Sequence, residues 1–126
     1  MLALAGDQDN WVGDQDARRI IGETIQIPQG NKDFVLVNTD LHGYPPITAD
    51  HFFPLAATIY LNLDYITLYT NAPDYYGTWK LFDGLYNAAF YGKNVEYALG
   101  NTSQQRNMGF WGDGTPVKEL NISVTP

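Results

Sequence analysis

The stretch AGDQDNWVGDQD, residues 5 to 16, carries Asp7, Asp9, Asp14 and Asp16 and repeats the tetrapeptide GDQD. The chain has two histidines, His42 in TDLHGYPP and His51 in TADHFFPL. Carboxylates at alternate positions suit a hard cation such as calcium, but the spacing opposes an EF-hand loop. Counted from Asp7, the fifth position is Trp11, the sixth is Val12 where that loop needs glycine, and the twelfth is Arg18 where it needs a bidentate glutamate. An acid beside an imidazole does other chemistry. A carboxylate bonded to one ring nitrogen fixes the tautomer and stabilises the imidazolium, which leaves the other nitrogen as a general base. Asp9 and His42 are the candidates for such a pair. Asp7, Asp14 and Asp16 read as caps or solvated turn residues, and Asp40 as a local turn residue. His51, which precedes an apolar run, reads as a helix-terminal or core histidine.

The elements around these residues must bring Asp9 and His42 to one place. Leu2 to Ala5 form a short apolar run ended by Gly6, a buried strand stopping at a turn that lasts to Gly13. From Asp14 or Asp16, a helix places Ala17, Ile20, Ile21, Thr24 and Ile25 at roughly helical spacing until Pro28 and Gly30 end it. DFVLVNTD, residues 33 to 40, is a β-branched and aromatic run of strand length. Strand, helix and strand in this order predict a parallel pair. Both polar turns, one with Asp7 and Asp9 and one with Asp40 and His42, then lie at the sheet edge where functional residues collect.

Downstream, YYGTWKLFDGLYNAAFYG predicts an amphipathic helix with Phe82, Leu85, Tyr86, Ala89 and Phe90 on one face and Gly92 just past its end. Tyr97 to Gly114 reads as a surface loop, and Leu120, Ile122 and Val124 alternate as in a half-exposed strand. The stretch from Phe52 to Thr70 is broken by Pro54, Asn62 and Asp64, so it reads as buried core or an aromatic-lined surface and not as a membrane span. MLALAGDQD lacks a basic flank and a long apolar core, and is expected to be neither a signal peptide nor an anchor. Asn101 and Asn121 head N-x-S/T sequons, relevant only in a eukaryotic secretory pathway.

At 126 residues the chain is read as a single domain, 1 to 126, of α/β class. Its formal net charge of −7 gives no basic stripe for phosphates, so nucleic acid is not an expected partner, nor is an anionic membrane. The absence of cysteine excludes thiol redox chemistry and thiolate metal sites while leaving the compartment open. No cofactor or metal is expected.

LALAGDQDNWV followed by a helix and then FVLVNTDLHGYP resembles the C-terminal part of an α/β-hydrolase of esterase or lipase type. The resemblance covers about the first 45 residues. That family orders its triad Ser, Asp or Glu, His, with the acid after one late strand and the histidine after the next. By resemblance Asp9 is the triad acid and His42 the base; from position 9 to position 42 the spacing of 33 admits one helix and one strand. The resemblance implies the last strands and helices of a parallel hydrolase sheet, here with an aromatic-rich C-terminal elaboration. It also implies an ester as small-molecule substrate. The nucleophile elbow G-x-S-x-G is absent, and the two serines, Ser103 and Ser123, both follow His42. The serine is therefore expected from outside this sequence, through a truncated frame, an internal start or a second chain, and the chain alone is expected to be inactive. Homo-oligomerisation is a further expectation, because late strands alone leave an unpaired edge.

Two other classes compete. An aromatic content of 14% fits a non-catalytic module that stacks a carbohydrate or small apolar ligand on tyrosine and tryptophan. An interaction subunit whose first strand pairs with a partner is the third.

Overall fold

The computed structural model describes residues 1–55 and 70–123. Strand β1, Leu2–Gly6, leads through a turn to helix α1, Gln15–Glu23. Strand β2, Asp33–Val37, pairs parallel to β1 with Leu2 opposite Asp33 and Gly6 opposite Val37. Both strands thus end at the same edge of the sheet. Strand β3, Asn121–Ser123, pairs antiparallel with β2 on its other side, Phe34 opposite Ser123, which gives a mixed three-stranded sheet in the order β1-β2-β3. The protein is a mixed α/β fold, and β1 is an edge strand among the described residues.

Alternation along β2 divides the core between two faces. Phe34 joins Ala5 and Ile21 on the side of α1, where the Arg18 guanidinium lies 4.2 Å over the Phe34 ring. Val35 and Val37 point the other way, into a cluster with Ile47, Ala49, Leu81, Met108, Val117 and Leu120. Coverage of both faces explains why DFVLV reads as a continuous apolar run instead of an alternating one.

Helix α1 is shorter than its apolar spacing predicts. Its last carbonyls are taken up by Lys32, whose Nζ donates to Ile21 O at 2.8 Å and Thr24 O at 2.9 Å, so the chain turns before Ile25. Only Ile21 of α1 is buried, while Ile20 and Ile25 are exposed. Asp14 stands at the N-cap position but makes no capping hydrogen bond, and pairs with Arg18 Nε at 2.7 Å.

Residues Pro73–Trp79 form a π-helical segment continuous with helix α2, Lys80–Tyr91, and Gly92 ends it in the left-handed conformation as expected. The predicted apolar face is turned outward: Phe82, Tyr86 and Phe90 are exposed, and Leu81 and Gly84 are buried. Close approach at Gly84 decides this, since a Cβ there would stand 3.1 Å from Cβ of both Tyr97 and Ala98. The helix docks through its smallest residue, and the aromatic side chains are left on the far side. The predicted loop from Tyr97 to Gly114 contains the short helix α3, Ser103–Arg106, whose Gln105 Nε2 reaches Asp33 Oδ2 at 3.0 Å. The expectation for Phe52 to Thr70 falls mostly on residues 56–69, as do Tyr60, Tyr65 and Tyr69, and lies outside the described residues.

Candidate acid–base site

The turn after β1 is organised by Asp9. Its Oδ1 accepts the backbone N–H of Trp11 at 3.1 Å and of Val12 at 2.9 Å, an Asx turn that closes residues 9–12. Its Oδ2 lies 3.0 Å from Nδ1 of His51. The Val12 N–H and then the His51 ring pull the Asp9 carboxyl down to about 2, so it is ionised at neutral pH. Among the described residues no group of three His, Asp or Glu side chains is placed to hold a metal ion.

His51 reaches Asp9 because three turns at the sheet edge are stitched together. Asp40 and Ile47 form a two-way backbone bridge at 2.9 Å, which folds the chain back after the HGYPP turn with its cis Tyr44–Pro45 peptide. Ala49 then lies against the end of β1. Its carbonyl accepts Gln8 N–H at 3.0 Å, and its N–H donates to Thr39 Oγ1 at 3.0 Å. Thr39 Oγ1 in turn donates to Asp7 Oδ1 at 2.6 Å, and Asp7 N–H donates to the carbonyl of Val37 at 3.0 Å. Gly6 permits the contact: a Cβ there would meet Ala49 O at 2.1 Å. The glycine that ends β1 is therefore also what admits the segment carrying the histidine.

The His51 side chain is 39% exposed and that of Asp9 12%, so the acid is covered while the ring stays accessible. No described residue bonds the His51 Nε2. Asp9 and His51 line a groove of about 530 Å³ that continues along Leu2, Leu4, Ile20 and Phe53 beside β1.

The structure does not join Asp9 to His42. The His42 Nε2 lies 2.8 Å from Asp113 Oδ2, and its backbone N–H donates to Asp40 Oδ1 at 3.0 Å. Asp113 is held at about 2 by that ring and then by the Thr115 N–H. Asp40 also accepts Trp111 Nε1 and Lys118 N–H, both at 2.9 Å and both on Oδ2. Burial alone would raise its carboxyl, but these donors outweigh it and hold Asp40 below its ordinary value. His42 thus fastens the 40–47 turn to residues 111–118. The expected edge location holds for both turns, but the imidazole that meets Asp9 comes from nine residues further on.

No family model, curated protein or solved structure matches the chain.

Proposed function

We propose that this chain supplies the acid and the histidine of a Ser-Asp-His ester hydrolase, with Asp9 orienting His51 and the serine contributed from outside this sequence. The β1–α1–β2 unit would be the late part of an α/β-hydrolase sheet. One observation carries the proposal: a turn-held carboxylate beyond one parallel strand bonds Nδ1 of a histidine that follows the next, and leaves Nε2 unbonded among the described residues. His51 takes the role that the resemblance implied for His42, since only His51 meets Asp9.

In the proposed reaction His51 Nε2 takes the serine proton as the oxygen attacks the ester carbonyl, and Asp9 stabilises the imidazolium. That proton then passes to the leaving alkoxide. Water, deprotonated by Nε2, releases the acid from the acyl-enzyme and restores the serine. The chain's own serines do not fit the role. Ser123 lies opposite Phe34 near the start of β2, and Ser103 opens α3, which is tied to Asp33 at that same start. Three to four strand steps of about 3.3 Å put those positions roughly 10–13 Å from the edge where Asp9 and His51 meet.

The isolated chain should leave p-nitrophenyl butyrate and a fluorophosphonate probe unreacted. Joined to a polypeptide that carries the nucleophile, it should hydrolyse the ester with an initial burst. His51→Ala should then cut kcat by about 10⁴-fold or more, with His42→Ala within about threefold of the parent. The reverse ranking, or hydrolysis by the chain alone, would sink the assignment.

A non-catalytic binding module stands as the second reading because of one surface feature. Tyr75, Trp79, Phe82, Tyr86 and Phe90 make an exposed ridge, with centroids 4.8 Å apart for Tyr75–Trp79 and for Tyr86–Phe90. Quenching of Trp79 fluorescence by an oligosaccharide, unaffected by His51→Ala, would favour it.

A further inference from the structure

We infer that Trp11 is a positioning residue for His51: its indole stacks on the imidazole and fixes the ring plane that one bond to Asp9 leaves free. The inference rests on reading Asp9–His51 as the working pair. The two rings lie 5.5 Å apart between centroids at an interplanar angle of 26°. Phe52 stands edge-on to both, 5.0 Å from Trp11 and 5.4 Å from His51. Yet Trp11 is 75% exposed, so burial of its apolar area in the core does not account for it.

The hydrogen-bond geometry makes the stack specific. A single Nδ1–H···Oδ2 bond fixes one in-plane direction of an imidazole but lets the ring rock about that axis. A general base must also aim Nε2, and a tilt of the plane swings that atom away from the line of proton transfer. Contact with a flat partner removes this freedom. Asp9 anchors both rings at once: Oδ2 bonds the imidazole Nδ1, and Oδ1 accepts the Trp11 N–H that sets where the indole begins. The Phe52 backbone beside the two rings is anchored by its N–H, which donates to Asp50 Oδ1 at 2.8 Å. An electron-rich indole face also suits a ring that carries positive charge during turnover.

The test is proton NMR on the whole chain, with wild type, Trp11→Ala, Trp11→Phe and Asp9→Asn. Trp11→Ala keeps the backbone N–H that Asp9 binds and deletes only the ring. In the wild type the His51 ring protons should be shifted upfield by the indole, and the Nδ1–H should exchange slowly with water. Trp11→Ala should abolish the upfield shift and speed exchange about threefold to tenfold, the factor that about 0.7 to 1.4 kcal/mol of ring pairing implies. Trp11→Phe should restore slow exchange. Unshifted ring protons in the wild type, or exchange unchanged in Trp11→Ala, would overturn the role of Trp11 and leave the Asp9–His51 pair standing. An Nδ1–H signal that is insensitive to Asp9→Asn would instead overturn the pair, while the ring shift would still report on the stack.

Discussion

Replacing Gly6 by alanine should separate Asp9 from His51 without touching either. The added Cβ would stand 2.1 Å from Ala49 O and 2.7 Å from Ala49 C. Both are backbone atoms, so no side-chain rotation relieves the clash. Ordinary van der Waals contact begins near 3.4 Å, so the 47–51 segment must move outward by about 1.3 Å. That displacement breaks the Gln8 N–H to Ala49 O bond of 3.0 Å and carries His51, two residues on, away from Asp9. A 3.0 Å hydrogen bond lengthened by even half that amount is lost. Overpacking costs about 1–3 kcal/mol and the broken backbone bond about 1 kcal/mol, partly offset by the lower entropy of an unfolded chain with one glycine fewer. The net expectation is a loss of roughly 2–3 kcal/mol, or a fall in Tm of roughly 6–12 °C for a domain of this size. Urea denaturation gives the first quantity, and the water exchange of the His51 Nδ1–H gives the second consequence. A Gly6→Ala protein within about 0.5 kcal/mol of wild type that keeps its slowly exchanging Nδ1–H would refute the claim that this contact delivers the histidine.

Asp40→Ala strips a buried acceptor from three donors, His42 N–H, Trp111 Nε1 and Lys118 N–H, and should cost about 3 kcal/mol in urea denaturation. Asp16→Ala, which loses an exposed pair with Arg19, should stay within about 0.5 kcal/mol. Asp9 and Asp113 both titrate near 2 in the fold against an ordinary 3.8, and Asp40 is also depressed, so their contribution is complete above about pH 4. It should be lost as pH falls from 3.8 toward 2, and Asp9→Asn should flatten that limb of a stability–pH curve. Lys80 is pushed down to about 8 by burial although its Nζ donates to the carbonyls of Gln104, Gln105 and Asn107. The unfolded chain then binds that proton more tightly, so wild type should gain stability relative to Lys80→Met as pH rises from 8 to 10.5. Finally, β1 offers an open edge among the described residues, and the isolated chain should associate with increasing concentration in light scattering; a monomer at every concentration would count against this.

The elements that flank the site were legible in the sequence, because they depend on local chemistry. The apolar runs gave β1 and β2, the acidic turn marked the start of α1 though Pro28 lies beyond its actual end at Glu23, and the strand–helix–strand order implied a parallel pair with both turns at one edge. The outward face of α2 was not legible: Phe82, Tyr86 and Phe90 follow helical spacing whether they meet a core or solvent, and the docking side was chosen by Gly84 against Ala98. Sequence patterning records which residues share a face but not which face has a neighbour.

The exchange of His42 for His51 has a similar cause. Proximity to the end of β2 favours His42, since a residue that leaves a strand directly is expected at its edge. The HGYPP turn, however, is closed by the Asp40–Ile47 bridge, which spends residues 41–46 on reversing the chain and leaves His42 on the side of Asp113. The segment that comes back along the sheet edge is 47–51, and it can approach β1 because position 6 has no side chain. Two signals for this were present in the sequence: a Pro-Pro turn straight after the first histidine, and a glycine at the strand end facing whatever returns. Their meaning depends on a contact between residues 43 positions apart, Gly6 and Ala49, and only the fold brings those together.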